Sequence, residues 1–162
     1  MYSLNKWIWL FIGFHCQGQS FQLSQDQLNH SFDKFYEFLS IPNDAHRPAD
    51  LELNLRWLEK EMSGRNFEVQ RLPTKGIDLL FAKKIYNPDW PTLLFYMQVD
   101  GQPVDPSKWH QTSPWKPTLK EKIQGTWTEV PWERLKEKQD ADWRIFARST
   151  SDAKGPILAF IT

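Results

Sequence analysis

The chain has 162 residues, of which 40% are hydrophobic, 15% aromatic and 25% charged, so it lacks the low hydrophobicity and high net charge of a disordered protein. Twenty basic side chains balance twenty acidic ones, which gives no basic stripe of the kind that binds nucleic acid. A length in the usual range of about 100 to 200 residues per domain fits one domain.

The N-terminus has the pattern of a secretory signal peptide. A lysine precedes the apolar run 7–14, and Gly18 and Ser20 supply small side chains around a cleavage point. The run is shorter than the about 20 apolar residues that cross a bilayer. We therefore expect a signal peptide at 1–20, a domain at 21–162, and a secreted or periplasmic protein with no membrane span after cleavage. A buried N-terminal helix is the alternative.

The single cysteine, Cys16, lies inside the predicted leader. After cleavage the protein would contain no cysteine. Disulfides, thiolate catalysis and cysteine metal ligands are excluded for such a mature chain.

Two amphipathic helices are predicted after the leader. Apolar residues recur at helical spacing over 24–40, and Pro42 ends that pattern. A second apolar stripe over 49–63 is followed by Gly64, which stands where a helix C-terminus favours glycine. We interpret both stripes as core faces rather than partner-binding faces, because amphipathic helices ordinarily pack on their own domain.

The rest of the chain alternates between β-like and helical patterns. We predict three β-like runs, a hairpin, a short helix, a strand and a last helix, in this order: 67–72, 77–85, 92–99, 120–130, 132–138, 143–147, and from Pro156 onward. The run at 92–99 contains a continuous apolar stretch, which is typical of a strand buried on both faces. The last helix stops at Thr162 without a cap, which we interpret as a cut end, with a short docked helix as the alternative.

Two aspartates have the same position relative to a predicted strand. Asp100 follows the run at 92–99, and Asp152 follows the strand at 143–147. In open α/β sheets ligands bind at the carboxyl ends of the strands, so the two carboxylates could form a site for a hard cation. Aspartates after strands are also ordinary turn and N-cap residues, and the spacing leaves both interpretations open.

Two longer segments resemble motifs of one enzyme family. The segments FYMQVDGQPVDPSKW at 95–109 and RSTSDAKGP at 148–156 are similar to two ordered motifs of the zinc hydrolases of peptidase family M-twenty. That family includes aminoacylases, carnosinase-like dipeptidases, glutamate carboxypeptidases and succinyl-diaminopimelate desuccinylase. The segments 40–43 and 64–69 fit its opening as well. The resemblance, over about 35–160, implies the N-terminal part of a three-layer α/β/α catalytic domain with a mostly parallel central sheet.

The resemblance also implies roles for three residues. Asp152 would bridge two zinc ions, and Asp100 would orient a histidine ligand and raise its basicity. Gln98 stands where that histidine is expected, and its neutral amide oxygen is a poorer zinc ligand than imidazole. Ala153 replaces the acidic residue that usually follows the bridging aspartate. The remaining histidines have no ligand spacing and are expected on the surface: His30, His46 and His110.

The family's general base and remaining ligands belong to a paired-glutamate segment and later motifs, C-terminal to the Asp152 motif, which this sequence does not contain. We therefore expect an N-terminal fragment of an exported zinc metallopeptidase or amidohydrolase for small peptides or N-acyl amino acids, which binds zinc weakly and does not turn over alone. The alternative is a non-catalytic secreted binding domain that uses a tryptophan-rich surface, although aromatic residues mostly fill the core of a small domain. The tryptophans concerned are Trp109, Trp115, Trp127, Trp132 and Trp143.

Overall fold

The computed structural model describes residues 22–162, so the predicted signal peptide at 1–20 lies outside the described residues. In chain order the elements are α1 (Gln25–Leu39), α2 (Pro48–Gly64), β1 (Glu68–Leu72), β2 (Leu79–Lys83), a single 3-10 turn (Pro106–Lys108), β3 (Thr118–Ile123), β4 (Thr126–Val130), α3 (Arg134–Glu137), β5 (Arg144–Phe146) and α4 (Lys154–Ile161). The described chain combines helices and strands, in agreement with the predicted α/β class at that general level. Within 22–162 no helix is long and apolar enough to cross a membrane.

The first helix begins with a capping box. The Ser24 hydroxyl accepts a hydrogen bond from the backbone N–H of Gln27 at 3.3 Å, and the Gln27 side chain accepts one from the backbone N–H of Ser24 at 2.8 Å. These two bonds satisfy backbone donors that have no partner inside the helix. The helix ends at Leu39, where the backbone N–H of Ser40 bonds to Tyr36 O at 3.1 Å. The helix predicted at 24–40 is confirmed.

The core lies between α1, α2 and α4. Phe38 of α1 stacks on Trp57 of α2 with ring centroids 4.2 Å apart and planes 6° from parallel. The apolar face of α4 adds Ile157, Leu158 and Ile161 to this buried cluster. The stripe of α2 is mostly buried, as predicted, whereas the stripe of α1 is buried at Leu39, half-buried over most of its length and exposed at Tyr36.

Both sheets of the described chain are small and antiparallel. One is the hairpin β1–β2, and the other has the strand order β4-β3-β5. Gln124 and Gly125 connect β3 to β4, and both have positive φ angles, 47° and 88°, as a two-residue hairpin turn requires. The predicted hairpin is confirmed. A mostly parallel three-layer sheet is not seen in residues 22–162.

The prediction of a strand at 92–99 is wrong for the described chain. Residues 91–100 form no ladder with any strand of 22–162, and consecutive apolar side chains stand in solvent, with Leu94 85% exposed. A strand buried on both faces needs neighbouring strands and a layer on each side, and the described residues provide neither. At the end of the segment Met97 and Val99 pack against the core, and Gly101 forms an isolated parallel bridge with Asp44. Further up, Phe95 lies against Phe160 of α4 with ring centroids 4.7 Å apart.

Candidate functional site

The side chain of Asn43 joins the two loops that carry the predicted site residues. Asn43 is fully buried, and its amide nitrogen donates to Val99 O at 2.8 Å and to the Ser149 hydroxyl at 2.9 Å. Val99 directly precedes Asp100, and Ser149 lies three residues before Asp152. The loops that carry the two aspartates therefore meet at one buried amide.

The approach of the two loops is close enough to require glycine at position 101. A Cβ atom on Gly101 would lie 2.8 Å from the hydroxyl oxygen of Ser149 and 2.9 Å from the amide nitrogen of Asn43. The backbone N–H of Gly101 donates to Asn43 O at 2.7 Å, and Arg148 Nε donates to Gln102 O at 3.0 Å. The loops are held together by main-chain as well as side-chain bonds.

Lys154, which lies after Ser149 in the same segment, is buried at the C-terminal end of α1. Its Nζ donates to Phe38 O at 2.7 Å and to Ile41 O at 2.6 Å. Burial lowers the pKa of Lys154 to about 7, while the charge of Asp50 acts in the opposite direction. Carbonyl groups at a helix C-terminus carry partial negative charge and attract a cation. Lys154 thereby ties the segment that contains Asp152 to the first helix.

The three predicted site residues lie on the surface of this junction. The side chains of Gln98, Asp100 and Asp152 are all exposed, and none makes a side-chain hydrogen bond to another residue of 22–162. Asp152 does not cap α4, because the N-cap is Ala153 and no side chain caps this end. The structure therefore brings together the backbone segments that carry the aspartates and leaves the carboxylates themselves in solvent.

The donors around Asp100 and Asp152 do not fit a zinc site. In the part of the chain that the structure describes, no three side chains of His, Cys, Asp or Glu are grouped so that they could hold a metal ion. Zinc sites in proteins use three or four such ligands, and the amide of Gln98 does not replace an imidazole. The three histidines at positions 30, 46 and 110 are exposed, as predicted.

The tryptophans do not form one continuous surface. Trp115 and Trp132 are half-buried, and within 22–162 their indole Nε1 atoms have no hydrogen-bond partner. Trp132 packs edge-on against Tyr36 at 5.0 Å. Trp109 and Trp127, by contrast, line one cavity of about 310 Å³. The tryptophan-rich region thus divides into half-buried residues and a pair that faces a pocket.

Sequence reasoning missed the residues that organise this region. Asn43 lies in the segment 40–43 and Lys154 in the segment 148–156, and no sequence pattern marks either side chain as one that joins distant loops. Both make bonds to residues more than fifty positions away, which no local pattern indicates. A comparison with protein-family models, curated proteins and solved structures finds no match to this chain.

Proposed function

We propose that this chain supplies the bridging-carboxylate segment of a two-metal amide hydrolase similar to family M-twenty, and that it hydrolyses no amide alone. The observation that supports the proposal is the junction at Asn43, because it unites the segments at 40–43, 95–109 and 148–156 on which the resemblance rests. In this proposal Asp152 would be the bridging ligand and Asp100 the residue that orients a neighbouring ligand.

The proposal contains no catalytic step within this chain. Two-metal hydrolysis requires a water held between two ions and a base that deprotonates it, and the donors in residues 22–162 fall short of one zinc site. The missing ligands would come from further polypeptide.

The exposed apolar run at 93–96 supports the proposal that further polypeptide binds here, since large exposed apolar patches mark interaction sites. With such a partner the run 92–99 would become a strand of a mostly parallel sheet.

The substrate in this proposal is a small peptide or an N-acyl amino acid, and the protein is exported. The resemblance and the leader-like pattern at 1–20 support these two points. Substrate choice would depend on side chains that the added polypeptide contributes.

The experiment is zinc titration of the purified chain together with assays on dipeptides and N-acetyl amino acids. We expect a micromolar or weaker Kd for zinc, no turnover, and a further loss of zinc binding in Asp152→Asn. Asp89→Asn, which makes the same charge change at an exposed loop position, should bind zinc like the wild type. Tight stoichiometric zinc, or measurable hydrolysis by the chain alone, would overturn the proposal.

A second candidate function is a non-catalytic binding domain. The observation that favours it is the cavity shared by Trp109 and Trp127, because pockets lined by aromatic side chains with a few polar groups are typical ligand sites. A zinc-free monomer with a sharp thermal transition would support this candidate, whereas a chain that is folded only with added polypeptide would argue against it.

A further inference from the structure

One face of the three-stranded sheet forms the floor of a cavity. Lys120 of β3, Trp127 of β4 and Phe146 of β5 all line it, and the loop residues Trp109 and Gln111 form part of its wall. The three sheet residues share a face because Thr118 pairs with Phe146 and Lys122 with Trp127, and residues two apart on β3 point to the same side. The cavity volume is about 310 Å³, which suits a ligand of one or two rings.

The aromatic part of this cavity is held in place by packing. Trp127 meets the edge of Phe146 with ring centroids 5.1 Å apart and planes at 67°. The loop wall is fixed by Gln111, whose amide nitrogen donates to Lys116 O at 2.9 Å and to Phe146 O at 3.1 Å. The pocket itself is open to solvent, with Trp127 40% exposed, so a ligand would reach these fixed aromatic side chains directly.

Two lysines line the cavity: Lys108 pairs with Asp105 at 3.6 Å, whereas Lys120 has no anionic partner in the described chain. Lys120 is only 6% exposed, and its Nζ lies 5.0 Å from the centroid of the Phe146 ring. Its cross-strand neighbour Glu129 is not within ion-pair distance, and no acceptor among residues 22–162 bonds to its Nζ. The Lys120 side chain is thus buried along its stem, whereas its Nζ is not among the buried polar atoms that lack a partner, so the ammonium opens onto the cavity.

Lys154 shows how a buried lysine is satisfied elsewhere in this protein. Its side-chain nitrogen donates to two backbone carbonyls and lies over the ring of Phe38 at 4.6 Å. Lys120 has only the contact with the aromatic ring. The difference marks Lys120 as a residue whose charge is available to a ligand.

We propose that this cavity binds a small aromatic carboxylate. The ligand carboxylate accepts a hydrogen bond from the Lys120 ammonium, and its ring lies against the indoles of Trp109 and Trp127. Charge-assisted bonds of this type are about twice as strong as neutral ones, and aromatic pairs add to the area that is buried. The inference rests on the second candidate function and gives it a ligand class; it does not depend on the metal-site proposal.

The experiment is calorimetric titration of the full chain with indole-3-acetate and with its neutral counterpart indole-3-acetamide. We expect the carboxylate to bind the wild type about tenfold or more tightly than the amide, since the ammonium distinguishes the two. Lys120→Met keeps the aliphatic stem and removes the charge, so it should abolish that preference and leave the binding of the amide unchanged. Lys60→Met, which makes the same change at an exposed position of α2, should behave as the wild type does.

The possible failures are distinguishable. Equal binding of the two probes to the wild type would overturn the carboxylate inference while leaving the binding-domain candidate in place. Binding of neither probe would overturn the inference and remove the main support of that candidate. A preference that survives in Lys120→Met, with thermal melting showing the variant folded, would also overturn the role of Lys120.

Discussion

The amide nitrogen of Asn43 lies 2.9 Å from the hydroxyl oxygen of Ser149, which is 106 residues further along the chain. Both side chains are buried, and the same amide nitrogen also donates to Val99 O. This contact, together with the bonds from Gly101 N to Asn43 O and from Arg148 to Gln102 O, holds the loops that contain Asp100 and Asp152 next to each other.

Removal of the Asn43 amide should destabilise the fold. Asn43→Ala leaves the buried Val99 carbonyl and the Ser149 hydroxyl without their donor, so we expect a loss of about 2 to 4 kcal/mol in the free energy of unfolding. Urea denaturation of the wild type and the variant measures this loss in unfolding free energy. Asn29→Ala on α1, where the side chain accepts a hydrogen bond from Gln25 near the surface, should cost less than about 1 kcal/mol.

A double-mutant cycle measures the interaction energy between Asn43 and Ser149. If Asn43 and Ser149 act through their mutual bond, the double alanine variant should be less destabilised than the sum of the two single variants by about 1 kcal/mol. Strict additivity would show that the two residues stabilise the loops independently, and the junction would lose its central role.

A methyl group at position 101 should push the two loops apart. In Gly101→Ala the Cβ would lie 2.8 Å from the Ser149 hydroxyl and 2.9 Å from Asn43 Nδ2, and we expect a loss of about 1 to 3 kcal/mol. Gly76→Ala is the matched control, because nothing lies within 4 Å of its added Cβ. Thermal unfolding of both variants measures the difference, and equal melting temperatures would contradict the packing argument.

Short sequence patterns correctly predicted the two long helices and the hairpin, because these elements depend mainly on residues that are near each other in the chain. The apolar stripes over 24–40 and 49–63 predicted α1 and α2, and the pattern over 120–130 predicted the hairpin β3–β4. The apolar run at 92–99 failed as a prediction because burial on two faces depends on layers supplied by other segments. Its side chains alone cannot indicate whether those layers are present.

The candidate site residues show the same contrast between what local sequence patterns predict and what tertiary packing determines. The sequence pointed to Asp100 and Asp152 as neighbours, and the structure does bring their backbone segments together at Asn43. It did not indicate Lys120 as a pocket residue, since the burial of that side chain results from the register of three strands and from the loop that contains Gln111. Contacts of this kind depend on tertiary packing and have no local pattern.

Loss of the Glu61 carboxylate should weaken the link between α1 and α2. Glu61 is buried, and its oxygens accept from Lys34 Nζ at 2.7 Å and from Arg65 at 2.8 Å. Burial tends to raise the pKa of Glu61, but the hydrogen bonds from Lys34 and Arg65 outweigh it and hold that pKa below 4.5. We expect Glu61→Gln to cost about 1 to 3 kcal/mol at neutral pH.

The pH dependence of this variant follows from the lowered pKa. A carboxyl group whose folded pKa is depressed stabilises the fold above its unfolded pKa, and the stabilisation is lost as pH falls through the folded value. The gap between the wild type and Glu61→Gln should therefore be constant near neutral pH and close below about pH 4.5. Glu68→Gln, which alters an exposed ion pair with Lys83, should show a gap near zero throughout. Denaturant titrations of both variants at pH 3.5, 5 and 7 measure these differences in unfolding free energy. A difference between the wild type and Glu61→Gln that persists at pH 3.5 would contradict the lowered pKa of Glu61.

Lys154 should make the fold more stable as the pH rises above neutral. Its folded pKa of about 7 lies below the ordinary value of 10.5, so the unfolded state binds more protons between these two values and stability increases with pH across that window. The physical reason is that the neutral amine keeps two N–H donors for Phe38 O and Ile41 O, while the cost of burying a charge disappears. Lys154→Met removes the titrating group and leaves Ile41 O without its donor, while Phe38 O keeps the backbone N–H of Ile41 at 3.3 Å.

The measurement is the difference in unfolding free energy between the wild type and Lys154→Met. We expect this difference to grow by about 1 to 2 kcal/mol between pH 7 and pH 9, since a single group contributes at most about 1.4 kcal/mol per pH unit. Lys60→Met, at an exposed position, should give a difference that does not change over the same range. A flat or shrinking difference for Lys154→Met would mean that the two carbonyls, together with Asp50, keep the lysine charged when folded, so that its pKa is not lowered by burial.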